Sequence, residues 1–426
     1  MKLPAPVNAH DVLDWIEPGA DVIVPLANGE PTAVMDAIEG AADQLEDVRV
    51  HQMHALHDRP YIHGAYGSRL RHVSYFLSHI TRPAYWKGDV DLVPNHFSEV
   101  PFLLSRNTKC NLVVAACSLP DRHGFFSLGT NADYVASLIG RAPVFLEATP
   151  HMPRTHGANL IHYSHIKGWC VTDRPLVEVP KPAAREADKV IGQLVAERIP
   201  NQATVQIGIG SIGSGVLEAL TDHRDLGIHT ELLHDGMVDL VEKGVITGAH
   251  KEVRRNRLVT TFCLGTRKLY DWLDDNAMVE MLGVDFVNDP RVIARMSKFA
   301  SINSTTEVDL YGQCASETVG GRYWSSSGGQ ADFARGAMYA EEGQAFIVTP
   351  SMTSKGKSRI VSTLTPGSVV TTLKNTVDHV VTEHGVAELR GKTLAQRARA
   401  LIAIADPSVR DDLEREAQEK GILLEH

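Results

Sequence analysis

The segment from Val205 to Gly236 constrains the fold of this chain more than any other. A short apolar run leads into GIGSIG at 208–213, and a second apolar run follows and stops at Glu231. Closely spaced glycines after an apolar run predict a strand that turns directly into a helix. The N–H groups at such a helix start favour an anionic ligand. Ligands of open parallel sheets bind beyond the carboxyl ends of the strands, so we expect the turn and Glu231 to face one crevice.

Strand-like apolar runs alternate with helical stretches along the whole chain, which predicts an α/β fold with mainly parallel sheets. In the first half the strands are predicted at 21–26, 111–116 and 143–147, and helices at 31–45 and 97–104. In the second half we expect strands at 204–207, 258–264, 301–304, 345–348 and 368–372, and helices at 188–198 and 393–405.

The stretch 174–189 contains three prolines and loses the apolar periodicity of its surroundings. Such a stretch is typical of a linker between domains. We therefore predict two domains, at 1–180 and 186–426, and a length of 426 residues is enough for two separate cores.

Composition limits the partners of the protein. A net charge of −10 argues against nucleic acid or an anionic membrane as a general partner. The N-terminal residues lack the pattern of a signal peptide, and no window has the roughly 20 apolar residues of a membrane span. The five cysteines show no CxxC spacing, which fits free thiols and a cytoplasmic location.

Six ordered motifs resemble the acetyl-CoA hydrolase/transferase family. They are SLPDRHGFFSLGTNADY, GIHTELLHDGMVDLVEKGVI, VNDPRVIARMSKFASINSTTEVDLYGQ, SSSGGQADFARGA, SRIVSTLTPGSVVTT and VVTEHGVAELRGKTLAQRA. Among these class I CoA-transferases, the chain is most similar to those acting on 4-hydroxybutyrate, butyrate and acetate. The resemblance implies two related open α/β domains with the active site between them, and a homodimer or homotetramer. It also implies acyl-CoA and a short carboxylic acid as substrates, without a permanently bound cofactor.

Glu231 is the candidate nucleophile, because resembling proteins use the Glu of the matching HTE segment in this role. A carboxylate can attack a thioester and later carry CoA itself, which is covalent catalysis. The structural alternative is a solvated Glu at a strand end, the usual place of a lone Glu. The motif around Glu231 favours the nucleophile.

Two glycine-containing segments are predicted to bind CoA. Main-chain N–H groups at the first turn would line the CoA path, from residues Gly208, Ile209, Gly210, Ser211 and Ile212. In the SSSGGQ run at 325–330, the resemblance places Gly329 at the thioester oxyanion, with Gly328 beside it and Ser325 nearby. A plain strand–helix turn and a flexible Ser/Gly loop are the structural alternatives.

Short polar side chains supply the remaining candidates. The amide of Asn288 is placed to orient Glu231, although Asn before Asp-Pro is also a common turn former, and Asn303 is expected to be structural. The spacing of His51, His54 and His57 suits one face of a helix or a loop rather than a metal site with an acidic partner, and HEXXH is absent. We therefore expect these residues and His63 to be ordinary polar or pocket-lining histidines and no metal site.

The sequence therefore favours a CoA-transferase that moves CoA between a short-chain acyl-CoA and a carboxylic acid, with acetate or acetyl-CoA as one partner. An acyl-CoA hydrolase that uses the same Glu231 is the nearest alternative. A nicotinamide-dependent oxidoreductase is a distant one, because the GIGSIG turn alone resembles a dinucleotide site. A CoA-binding protein without catalysis is a further alternative.

Overall fold

The computed structural model describes residues 3–423 and separates them into two units. The first unit contains 3–180 together with Val259–Val287, and the second contains Lys181–Leu258 together with 288–423. The chain passes from the first to the second unit after Pro180, inside the predicted linker.

The first unit contains a parallel sheet whose strands are mostly buried, as is usual for a parallel sheet that is covered on both faces. The strands lie in the order Gly168–Val171, Val144–Ala148, Leu112–Cys117, Asp21–Val24, Val48–Gln52, Leu70–Ser74 and Val90–Leu92. Smaller pairings join Phe125–Ser127 to Leu160–His162 and His156–Gly157 to Val279–Met281, and Leu258–Cys263 is a further strand. The helices are Thr32–Gly40, Thr81–Lys87, Val100–Asn107, Arg267–Leu273 and Val284–Val287.

The second unit also has a mainly parallel sheet. Its strands lie in the order Gly385–Glu388, His379–Thr382, Gln344–Val348, Phe299–Ser304, Thr204–Ile207 and Gly227–Leu233, and only the first pair is antiparallel. The short strands Glu307–Asp309, Cys314–Ala315 and Ile360–Val361 form a second sheet, and Thr318–Val319 pairs with Arg322–Tyr323. The helices are Glu186–Ala196, Ser211–Ala219, Asp235–Glu242, Pro290–Ile293, Gln330–Tyr339, Leu394–Ile404 and Arg410–Glu419. The predicted α/β class with mainly parallel sheets is confirmed.

Two details differ from the sequence predictions. The second domain was predicted as continuous over 186–426, whereas Val259–Val287 lies in the first unit. There the main-chain N–H of Ala132 donates to the carbonyl of Thr261 over 2.8 Å, and the strand Val279–Met281 pairs with His156–Gly157. These contacts join residues more than a hundred positions apart in the chain. No local sequence pattern therefore shows that Val259–Val287 belongs to the first unit.

The second difference is that the predicted strand at Ser368–Thr372 is wrong. A turn at Gly367 precedes this segment. Gly367 has a φ of +87°, and the Ser368 N–H donates to the Thr365 carbonyl. Only Thr372 forms a bridge, with Cys314. The hydroxyl groups of Ser368 and Thr371 donate to carboxylates instead.

No helix within residues 3–423 is both long and apolar enough to cross a lipid bilayer.

Candidate active site

Glu231 lies near the carboxyl end of the strand Gly227–Leu233, which continues for two residues past Glu231, where the sequence predicted its end. The residues on either side, Thr230 and Leu232, are buried, while Glu231 itself is only partly buried. A carboxylate in this position is fixed by its strand and still accessible to a reactant.

Asn288 holds one oxygen of this carboxylate. Its Nδ2 donates to Oε2 of Glu231 over 2.9 Å. The side chain is fully buried, and within the described part of the chain its Oδ1 has no hydrogen-bond partner. The next residue, Asp289, caps the helix Pro290–Ile293 by accepting from the Arg291 N–H. The turn-forming residues after Asn288 therefore position an amide that contacts Glu231.

Gly329 is the third member of the cluster. It is the N-cap residue of the helix Gln330–Tyr339, and its main-chain N–H donates to the Glu231 carboxylate. A methyl group built on Gly329 would overlap both Oε2 of Glu231 and Nδ2 of Asn288. Only glycine allows all three groups to meet, so the structure brings together Glu231, Asn288 and Gly329, the three predicted catalytic residues.

The surroundings raise the pKa of Glu231 from its ordinary value of 4.5 to about 7. Burial is the largest cause, because it disfavours the charged carboxylate, and the nearby Asp332 raises the pKa further. The hydrogen bonds from Asn288 and Gly329 act in the opposite direction. Near neutral pH, Glu231 is therefore present in both protonation states.

The GIGSIG turn follows the strand Thr204–Ile207, which pairs in parallel with the strand of Glu231, with Val205 opposite Ile228. The pairing covers Thr204 and Val205, so Gly208 and Glu231 each follow the paired part of neighbouring parallel strands. Gly208 donates its N–H to Ile302 over 2.9 Å, which ties the start of the turn to the neighbouring strand.

The remaining residues of this turn differ in what they offer a ligand. Ile209 is 62% exposed, and Gly210 has a φ of +124°. The helix Ser211–Ala219 begins next, so the N–H groups of its first turn lack intrahelical partners. The Ile212 side chain is buried and does not face solvent.

The SSSGGQ run is a tethered turn. The Ser327 hydroxyl donates to Oε1 of Glu317 over 3.2 Å, and the Gln330 amide donates to the hydroxyls of Ser316 and Thr372. Gly328 adopts a left-handed conformation with a φ of +56°. Ser325, the first residue of this turn, is partly buried, and its N–H donates to the carbonyl of Glu317.

Sequence reasoning missed the residues that tether this turn. Glu317, Ser316, Thr371 and Thr372 come from two segments about fifty residues apart, and no spacing pattern connects them. They lie within or near the motifs that resemble the family, but a resemblance alone does not say which side chains touch.

Two other polar candidates, Asn303 and His51, form hydrogen bonds with other side chains of their own units. Asn303 exchanges two hydrogen bonds with Gln206, over 3.0 and 3.1 Å, on adjacent strands. His51 lies on a strand of the first unit, between Asp21 and Tyr75. Within residues 3–423, no group of three or more His, Cys, Asp or Glu side chains is arranged to hold a metal ion.

Comparison with known proteins gives full-length matches. Family models match for the acetyl-CoA hydrolase/transferase N-terminal domain over residues 6–197 and C-terminal domain over 265–417. The succinyl-CoA:cyclohexane-1-carboxylate CoA transferase of Geobacter metallireducens is 40% identical, over 98% of this chain and 95% of its own. The 4-hydroxybutyrate coenzyme A transferase of Clostridium kluyveri is 39% identical, over 97% of each chain. The crystal structure of RipA from Yersinia pestis matches with a TM-score of 0.92 and 32% identity, over 98% of each chain.

Proposed function

The chain belongs to the acetyl-CoA hydrolase/transferase family, and we propose that it transfers CoA between a short-chain acyl-CoA and a carboxylic acid, with Glu231 as the nucleophile. The observation that carries the proposal is the contact of Glu231 with Asn288 and Gly329 in one cluster of the second unit. The full-length relatives named as CoA transferases support the reaction class. We further propose that acetate or acetyl-CoA is one of the substrates.

The reaction begins when an oxygen of the ionised Glu231 attacks the thioester carbonyl of the acyl-CoA. The carbon–sulfur bond breaks, CoA leaves as a thiolate, and a mixed anhydride joins the acyl group to Glu231. The thiolate then attacks the glutamyl carbonyl, which releases the first acid and leaves CoA on Glu231 as a thioester. This is nucleophilic catalysis with two covalent intermediates.

The second half reverses these steps with another acid. Its carboxylate attacks the glutamyl thioester and CoA leaves again, and the thiolate then attacks the acyl carbonyl of the new anhydride. Glu231 is regenerated and the thioester energy is retained in the new acyl-CoA. The first acid leaves before the second acid reacts, so the kinetics should be ping-pong, with parallel initial-rate lines.

The cluster around Glu231 provides donors for this sequence. Each attack develops negative charge on a carbonyl oxygen, which preorganised N–H donors stabilise. We propose the Gly329 N–H and the Asn288 amide for this role, since both donate to the Glu231 carboxylate, where the reaction takes place. The main chain at 208–212 and at 325–328 is proposed to hold CoA.

Mass spectrometry of the protein incubated with acetyl-CoA tests the proposal. We expect a CoA adduct on Glu231, which borohydride converts to an alcohol by reducing the thioester. Glu231→Gln should carry no adduct, whereas Glu218→Gln, the same change at an exposed helix position, should be labelled normally. An adduct on Glu231→Gln, or transfer at a normal rate by that variant, would contradict the mechanism.

Product analysis separates transfer from hydrolysis, which uses the same covalent intermediate. With acetyl-CoA alone a transferase should stop at the glutamyl thioester, and adding a second acid should yield the new acyl-CoA. Steady release of free CoA without an acceptor acid, at a rate matching that with acceptor, would identify a hydrolase instead.

A further inference from the structure

A second carboxylate, Glu317, lies beneath the turn that carries Gly329. It follows the short strand Cys314–Ala315 and is 6% exposed. Its Oε1 accepts from the hydroxyls of Ser327 and Thr371, over 3.2 and 3.0 Å. Its main-chain carbonyl also accepts the N–H groups of Trp324 and Ser325. Through Ser327 and the two N–H groups, one residue holds the start of the turn with both its side chain and its backbone.

The far side of the turn is attached to the same two segments. Gln330, the residue after Gly329, donates to the hydroxyls of Ser316 and Thr372, over 2.9 and 3.1 Å. These segments are themselves joined, because the Ser316 N–H donates to the Thr371 hydroxyl. Gly329 therefore lies between two residues, Ser327 and Gln330, whose side chains are hydrogen-bonded to these joined segments. Only Gly328 separates it from Ser327.

We infer that Glu317 is a positioning residue that fixes the turn at 325–329 so that the Gly329 N–H meets the Glu231 carboxylate. The inference rests on the proposed role of Glu231 as nucleophile. Glu317 acts through Ser327 and is not assigned contact with substrate. A reactive group works only when neighbouring contacts lock its geometry, and a displacement of about 1 Å can reduce the rate on the order of a hundredfold.

The alternative is that Glu317 only stabilises the fold, since any buried carboxylate needs hydrogen-bond donors. Glu307 offers a matched control. It accepts from the Thr365 N–H and from the hydroxyls of Thr365 and Ser368, so it also anchors a loop, but none of these donors belongs to the turn at 325–330. Removal of either carboxylate should cost comparable stability, and only removal of Glu317 should slow the chemistry.

The test compares Glu317→Ala, Glu317→Gln, Ser327→Ala and Glu307→Ala in the full chain, with acetyl-CoA and an acceptor acid. We expect Glu317→Ala to lower kcat by about tenfold to a hundredfold and to raise KM for acetyl-CoA by a smaller factor, because the Gly329 donor and the proposed CoA contacts at 325–328 move while those at 208–212 remain. Glu317→Gln keeps a carbonyl acceptor at this position and should recover most of kcat. Ser327→Ala should lower kcat by a smaller factor than Glu317→Ala. This variant tests the inference if Glu317→Ala does not fold.

Glu307→Ala should lower the melting temperature and leave kcat near the unsubstituted value. A normal kcat in folded Glu317→Ala, or an equal loss of kcat in Glu307→Ala, would overturn the inference. Glu231→Gln is measured in parallel: if that variant still transfers CoA, the proposed function itself fails, whichever result Glu317 gives. If Glu231→Gln is inactive and Glu317→Ala is normal, only the positioning role is lost.

Discussion

Glu231 is under two opposing influences, and their balance sets its proton affinity. Burial and Asp332 favour the neutral acid, whereas Asn288 and Gly329 donate to the ionised form, and burial prevails with a pKa of about 7. The proposed attack needs the ionised form. We therefore expect kcat/KM for the acyl-CoA to fall on the acid side with an apparent pKa near 7. A pH–rate profile measures this, and an acid limb near pH 4.5, the ordinary value for Glu, would contradict it.

The same pKa makes a prediction about stability. Because folding raises the pKa from 4.5 to about 7, the neutral side chain contributes stability that is fully present below pH 4.5 and is lost as the pH rises through 7. Because the Gln side chain cannot ionise, the free energy of unfolding of Glu231→Gln should be about 1–3 kcal/mol higher than that of the parent above pH 7. Denaturant titrations at a pH above 7 and at a pH below 4.5 check this. An equal gain at both pH values would show that charge is not the cause.

Gly329 gives the most local prediction. In Gly329→Ala the added methyl group overlaps Glu231 and Asn288, so the carboxylate must move and turnover should fall by about a hundredfold or more. Gly40→Ala is the control, because a methyl group there meets nothing within 4 Å and the backbone is not left-handed. Turnover and thermal unfolding of both variants measure the effect. A folded Gly329→Ala with unchanged turnover would exclude the glycine from the site.

At the residue scale, the sequence predicted the three residues that meet in the site, Glu231, Asn288 and Gly329. It did not predict the residues that hold the Gly329 turn in place. Resemblance to the family identified Glu231 and Gly329, and the position of Asn288 after a predicted element suggested a helper amide. The hydroxyl groups that hold the turn from below have no such signal. Thr371 and Glu317 are 54 residues apart in the chain, and only the fold brings them within hydrogen-bond distance.

At the scale of elements, two helices pack unusually closely through glycine. The helix Glu186–Ala196 contacts Ser211–Ala219, and a methyl group on Gly215 would lie 2.5 Å from the carbonyl oxygen of Asp188. Gly192 faces Gly215 in the same way. Close approach of the two backbones fixes the helix that begins at the proposed CoA-binding turn.

Gly215→Ala should therefore force these helices apart, lowering the free energy of unfolding by about 1–3 kcal/mol. The start of the helix at Ser211 should shift with it, which raises KM for acetyl-CoA more than it lowers kcat. Chemical denaturation and steady-state kinetics measure the two effects, again with Gly40→Ala as the control. Unchanged stability in Gly215→Ala would mean that the helices have room to adjust.

Elements whose signals are local were predicted well, and elements that depend on distant partners were not. The helix predicted at 393–405 is found at Leu394–Ile404, where Thr393 caps it and Gln396 completes the capping box. The segment 368–372 has the β-branched residues of a strand, but the turn at Gly367 and the carboxylates of Glu307 and Glu317 hold it in an irregular path. Strand propensity depends on neighbours that the sequence does not display.

At the scale of the whole molecule, the chain enters the second unit, returns to the first for Val259–Val287, and enters the second again at Asn288. In the first unit, Leu269, Leu273 and Met281 of this segment are fully buried, and Val284 belongs to the core. A boundary at the linker alone therefore divides the first unit into two pieces of chain.

A cut at this linker should separate pieces that cannot fold alone. We expect a fragment of residues 181–426 to aggregate or to bind a hydrophobic dye, because the apolar side chains of 259–287 lose the partners that cover them. A fragment of residues 1–180 should fail as well, since it lacks the strand Val279–Met281 that pairs with His156–Gly157. Co-expression should rescue both, because residues 176–185 belong to no strand or helix and the cut breaks no element. Copurification through a tag on one fragment measures the rescue, and cooperative unfolding of 181–426 alone, without dye binding, would show instead that Val259–Val287 does not need the first unit.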